Sequence, residues 1–165
     1  MAAVDSIVEE LGREAATTRR VLERIPTEQL GWKPHDKSKT VGQLAWHIAT
    51  IPPRIAAFVQ GDEIDVTAAP LKPPPIPEST AGIVAGFDQQ LAAAKALLSQ
   101  LDDASLARSF TMRRGEAKMF SGPKSAFLRI VLLNHIYHHR GQLSVYLRLL
   151  NVPVPPIYGP TADES

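Results

Sequence analysis

His135 and His139, four residues apart, are the part of this 165-residue sequence most able to do chemistry. On a helix, residues i and i+4 lie on one face a turn apart, so both imidazoles point the same way. That spacing makes a two-nitrogen chelate for a transition metal. A third imidazole from a facing helix would complete a three-histidine set, with one or more positions open to water or substrate. His47 is the histidine placed to supply it. It lies in the apolar stripe Leu44, His47, Ile48, Ile51, Ile55, while the other two lie in Leu132, His135, Ile136, His139, Leu143, Tyr146, Leu147, Leu150. All three therefore occupy positions that should be core. An imidazole buried there without a partner costs on the order of 1–3 kcal/mol, and one ion would satisfy three nitrogens together. The plain alternative is a metal-free bundle whose histidines are hydrogen-bonded within the core.

The residues between and around the histidines narrow the chemistry. The segment reads His135-Ile136-Tyr137-His138-His139, without the glutamate base of an HExxH peptidase, so it is not evidence for a peptidase. His138 points about 100° away from His139, toward the rim or the surface, and His35, in the loop WKPHDKS, is expected to be exposed. Gln142 lies three residues beyond His139, Tyr146 seven beyond it, and Arg54 seven after His47. Helical spacing puts Gln142 and Tyr146 within reach of the same cavity, where either could orient a water or substrate. It puts Arg54 nominally on the same face, where it could receive an anionic group, with its direction set by the bend at Pro52-Pro53. Each also has a structural reading: an interhelical hydrogen bond for Gln142, a salt bridge for Arg54. Arg140 is expected to pair with a carboxylate, and Gly141 to permit close helix packing. The chain has no cysteine, so any metal here uses nitrogen or oxygen ligands, and any thiol must come with the substrate.

Four segments of helical period must position these side chains. The first runs from about Val4 to Ile25. The second starts at the N-cap Thr40, with Gln43 three residues later as in a capping box, and Gly61 is its expected stop. The third starts near Ser79 or Thr80 and carries apolar residues to Leu101. The fourth, from about Lys124 to Leu150, is the longest and most apolar. Pro52 and Pro53 deprive the carbonyls of Ile48 and Ala49 of their helical partners, so the second helix should kink or restart there. The proline-rich stretch 64–78 reads as an extended strap, long enough that helices 2 and 3 should not be simple hairpin neighbours. Residues 109–120 alternate around Arg114-Gly115, as in a small β-hairpin. The sequence thus predicts an all-α, single-domain four-helix bundle over 1–165.

Composition excludes some roles. Lys plus Arg number 18 and Asp plus Glu 17, a balance that offers no electrostatic footprint for nucleic acid or for an anionic membrane. No stretch approaches the roughly 18 apolar residues of a membrane span, and the acidic, amphipathic N-terminus has no export-signal pattern. A cytoplasmic protein acting on a small molecule is the expectation.

The chain also resembles DinB/YfiT-type proteins, a superfamily of DNA-damage-inducible and related metalloenzymes. The resemblance spans essentially the whole chain. It rests on GQLAWHIA, on NHIYHHRGQLSVYLRLL and on the tail VPVPPIYGPTADE. The HxxxHRGQ motif in the last long helix, paired with one histidine in the second, is its most specific part. The resemblance implies a four-helix bundle that binds Zn²⁺, Ni²⁺ or a similar divalent metal ion through His47, His135 and His139. It further implies metal-dependent hydrolysis, or transfer of a low-molecular-weight thiol or its adducts, on a small molecule, and a homodimer. A non-catalytic, stress-associated metal-binding bundle stays open beside these.

Overall fold

The computed structural model describes residues 3–68 and 73–164. Helix α1 spans Ala3–Glu23 and buries Val4, Ile7, Leu11, Ala15, Thr18, Val21 and Leu22, a stripe of helical period. Helix α2 spans Val41–Phe58. Its capping box is formed: the Thr40 side chain accepts from the Gln43 amide at 3.1 Å, and Gln43 Oε1 accepts from the Thr40 amide at 2.9 Å. Two of the orphan donors at the helix start are satisfied in this way. The expected restart at Pro52-Pro53 does not occur, since helix runs unbroken through both. Pro52 is buried, lying beside Leu11, Ala15 and Phe87 in the core. The helix stops at Phe58, ahead of Gly61.

Helix α3 spans Thr80–Leu98, with Ser79 as N-cap accepting from Gly82 at 3.1 Å. It ends three residues short of Leu101. A separate short helix, α4, spans Asp103–Ala107, capped by Asp102. Strands β2 (Ser109–Arg114) and β3 (Ala117–Pro123) form the expected hairpin, and Gly115 takes the left-handed φ of 57° its turn needs. The chain is mostly helical, as expected, and a third strand extends the hairpin into a small sheet. Strand β1, Glu63–Asp65, pairs in parallel with β2, so the first residues of the supposed strap belong to a sheet of order β1-β2-β3. Residues 69–72 of that strap lie outside the described residues.

The fourth helical rod is continuous from 124 to 149 but not uniform. Helix α5 (Lys124–Phe127) leads into a π-helical segment, Leu128–Leu133, in which the Asn134 amide reaches back to the Arg129 carbonyl, and α6 (Asn134–Leu149) follows. A widened turn of this kind re-aims the side chains after it, and His135 is the second residue beyond it.

Contacts along the rods fix their directions. Trp46 meets Gly86 near the starts of α2 and α3, and Gln60 reaches the Leu97 carbonyl at their ends, so these two helices run parallel. They also share the most extensive contact of any pair of elements. They are neighbours, yet not a hairpin, and the long connection is the crossover that parallel packing requires. Helix α1 runs antiparallel to α3, with Arg19 on Asp88 and Thr80 on the Ile25 carbonyl. The last rod runs parallel to α1, through Arg129–Glu10 and Arg140–Glu14. It is therefore antiparallel to α2, which sets His47 opposite His135 and His139.

Candidate metal centre

The three predicted histidines converge. His47 Nε2 lies 3.3 Å from His135 Nε2 and 3.1 Å from His139 Nε2. One ligand atom from each falls within 4.8 Å of the others, and all three rings are half-buried. Metal–nitrogen bonds of about 2.1 Å at angles of 90–110° would separate the ligand atoms by about 3.0–3.4 Å. The observed spacings sit inside that range, so the residues fit a divalent ion held on one face, with further positions open.

The opposite edges of two rings are already committed. His139 Nδ1 lies 2.6 Å from Gln142 Oε1. The amide oxygen can only accept, so Nδ1 carries the proton and Nε2 offers a lone pair. The His135 ring is hydrogen-bonded to the Val131 carbonyl. Its Nε2 faces the other rings, so Nδ1 is the donor there. Val131 belongs to the π-helical segment, which ties that irregularity to the orientation of His135. Two bare lone pairs thus aim at His47 Nε2. A proton on that atom could serve one of them at a time, whereas a metal ion would satisfy all three nitrogens.

Electrostatics point the same way. Burial, then the neighbouring rings, Lys39 and Arg54, push His47 down to about 3. Burial, then His139, push His135 down to about 4, against the opposing pull of the Val131 carbonyl. Burial lowers His139 as well, with Gln142 opposing. The rings are held neutral, the form that ligates. The charged side chains acting on them are cationic: Lys39 and Arg54, with His138 beside them.

The helper residues divide. Gln142 contacts His139 directly. Arg54 is half-buried and acts on both His47 and His135, with burial lowering its own pKa. It has no hydrogen-bond or ion-pair partner among the described residues. Tyr146 instead packs edge-on against Trp32, with ring centroids 5.7 Å apart. Arg140 is fully buried and pairs with Glu14 at 2.7 Å, as expected for a structural arginine. Gly141 is exposed with open space around it, so close packing does not explain it. His35 and His138 are exposed. Spacing alone missed Lys39, which precedes the helix and so has no place in its period. It also missed a cavity of about 270 Å³ lined by Lys39, Gln43, Trp46, His47, Pro73 and Ile76. The proline-rich strap forms one wall of that cavity, pinned by Trp46 Nε1 donating to the Pro74 carbonyl at 2.7 Å.

A bundle whose parallel α2 and α3 are joined by a crossover thus brings three histidines together from α2 and the last rod, and the chain that builds it matches a known family. The DinB family model covers residues 1–165, and the chain belongs to that family. Over 158 residues it is 30% identical to the uncharacterised protein YrdA of Bacillus subtilis, covering 92% of this chain and 85% of YrdA. It superposes on the crystal structure of a DinB-like protein from Bacillus cereus with a TM-score of 0.73 at 27% identity, covering 93% of this chain and 97% of that one. It shares the fold of YfiT from Bacillus subtilis, with a TM-score of 0.61 at 18% identity over 90% of this chain and 87% of that one. YfiT is described as a probable metal-dependent hydrolase with an unusual four-helix bundle topology. Among the described residues, no helix is long and apolar enough to cross a membrane.

Proposed function

We propose that this protein is a metal-dependent hydrolase of a small molecule, with His47, His135 and His139 holding one divalent ion, zinc or nickel. The observation that carries the reading is the convergence of three Nε2 atoms at 3.1 and 3.3 Å, with Nδ1 of His135 and His139 tied back. A bound ion there supplies Lewis acidity, lowering the pKa of a water or of a thiol that the substrate brings. The protein's own residues prepare the site. Gln142 and the Val131 carbonyl fix ring orientation and keep the Nε2 lone pairs directed inward. Ile48 and Ile51, both fully buried, anchor the turn of α2 that carries His47. The description of YfiT supports hydrolysis by fold analogy alone.

Transfer of a thiol adduct is the second reading, because a cationic surrounding favours a thiolate. Both are tested together. Metal content is measured by mass spectrometry on wild type and His139→Ala, and the loaded protein is then assayed against esters, amides and thiol–electrophile pairs. About one equivalent of metal, absent from the variant, with chelator-sensitive turnover, is the expected result. Wild type that stays folded but refuses zinc and nickel would overturn the metal centre. Stoichiometric metal without turnover of any class would reduce it to a non-catalytic site.

A further inference from the structure

Arg54 is a half-buried guanidinium with no hydrogen-bond or ion-pair partner among the described residues. Elsewhere in the chain arginines that leave solvent are compensated: Arg140, fully buried, has Glu14, Thr18 and Tyr158. A guanidinium cannot shed its charge, so removing water from it without an anion is costly. That cost is retained beside the candidate metal centre, where Arg54 acts on both His47 and His135. On α2 the residues Gln43, His47 and Arg54 lie along one face, four and seven residues apart. At about 1.5 Å per residue, Arg54 is about 10 Å from His47 along the helix axis, on the side opposite the cavity that Gln43 lines. That cavity measures about 270 Å³ and is lined by the apolar Trp46, Pro73 and Ile76 on one part and by Lys39, Gln43 and His47 on the other. An apolar cavity of about 150 Å³ is enough for benzene. Arg54, His47 and the cavity therefore follow one another along one face of α2.

We propose that the substrate is a small carboxylate or similar oxyanion with an apolar body: its acid group pairs with Arg54 and its body fills the cavity under the Pro73–Ile76 strap, so that its reacting group crosses the open face of the histidine triad. The substrate assignment rests on the metal centre proposed above. Arg54 makes the specific contact, because a planar fork matches a carboxylate bidentately. Lys39 is exposed at the cavity and adds only steering, which salt screens.

Benzoate and its neutral isostere benzamide are the probes, titrated by ligand-observed NMR into wild type, Arg54→Gln and Arg54→Lys. Each protein is tested zinc-loaded and also in a His139→Ala background. The expected result is at least tenfold tighter binding of benzoate than of benzamide by wild type, lost in Arg54→Gln and partly kept in Arg54→Lys, whether or not zinc is present. Benzoate binding that ignores Arg54, or that vanishes with the zinc while Arg54 is intact, would overturn the proposal; in the second case the acid is simply a metal ligand. Arg54-dependent binding in a protein that refuses zinc would remove the metal centre and leave the anion site standing. Thermal melts identify a misfolded variant. If Arg54→Gln does not fold, the comparison of wild type with Arg54→Lys decides, with at least a fivefold loss expected.

Discussion

Gln142 Oε1 accepts the Nδ1 proton of His139 at 2.6 Å, one turn further along the helix that carries both. The contact leaves His139 Nε2 as the acceptor and fixes the plane of its ring. Removing such a partner costs a metal site typically 10–100-fold in affinity. Gln142→Leu should therefore bind zinc about 10–100-fold more weakly than wild type, while its melting temperature, measured metal-free, moves little because Gln142 is exposed. Competition titration against a zinc chelator reads the affinity. An unchanged affinity would mean that the amide merely sits beside the ring.

The strap makes a second prediction. The Trp46 ring lies so close to Gly86 that a Cβ built there would stand 2.5 Å from one ring carbon and 2.7 Å from another. The same indole donates to the Pro74 carbonyl and so holds the strap over the cavity. Gly86→Ala must push the ring aside, and overpacking of this kind costs about 1–3 kcal/mol. A lower melting temperature should accompany a shift in tryptophan emission and faster proteolysis within 73–78. Valine or larger side chains at 86 should be worse. Wild-type melting and emission in Gly86→Ala would show that α3 yields without disturbing Trp46.

Arg140 carries the third. Its guanidinium donates to the Glu14 carboxylate and carbonyl, to Thr18 Oγ1 and to Tyr158 Oη, tying the last helix to α1 and to the C-terminal tail. Arg140→Met leaves the poorly exposed Glu14 carboxylate without its cation, and breaking a buried pair from one side costs about 3–5 kcal/mol. For a chain of this size that is a fall of roughly 6–20 °C. Arg140→Lys should recover little, because a single ammonium cannot reach the same four acceptors. Thermal unfolding of both variants checks this. A fall of a degree or two in Arg140→Met would show the network to be worth no more than a surface pair.

Much of this was legible because it is periodic. The stripes through His47 and through His135 and His139 put three imidazoles at core positions, and Thr40 with Gln43 marked where α2 begins. The direction of Arg54 was left open by the kink or restart expected at Pro52-Pro53, and it is the helix running through both that keeps it seven residues along the face of His47. What escaped was non-local or aperiodic. Strand β1 is only Glu63–Asp65, too short to show alternation, and it exists because β2, some fifty residues on, offers an edge. The π-helical turn leaves no trace in the pattern of Leu128–Leu133. It shows only in three dimensions, where the Val131 carbonyl meets the His135 ring. Tyr146 obeys the period of His139 yet is captured by Trp32, a residue from a loop whose position no helical spacing predicts.

The histidines also set how the metal-free protein should respond to acid. Burial and the neighbouring rings push His47 and His135 in the folded chain down to about 3 and about 4, and burial holds His139 below its ordinary value of 6.5. In the unfolded chain all three return to about 6.5. Between those limits the unfolded state binds more protons than the folded one, so stability rises with pH and falls as pH drops from about 6.5 toward 4. The carboxylates lowered by partners, such as Glu10 beside Arg129, lose their contribution only below about 4.5. The window from about pH 6.5 to 5 therefore belongs mainly to the triad. With chelator present, the unfolding free energy from urea titrations should decline across that window, and His47→Gln should decline less steeply by about one proton's worth of slope. Saturating zinc should add stability at about pH 7 and lose its effect as pH falls and protons compete for the same three nitrogens. A flat profile in wild type between about pH 6.5 and 5 would mean that the rings take up protons freely in the fold, and that their convergence is loose enough to admit water without an ion.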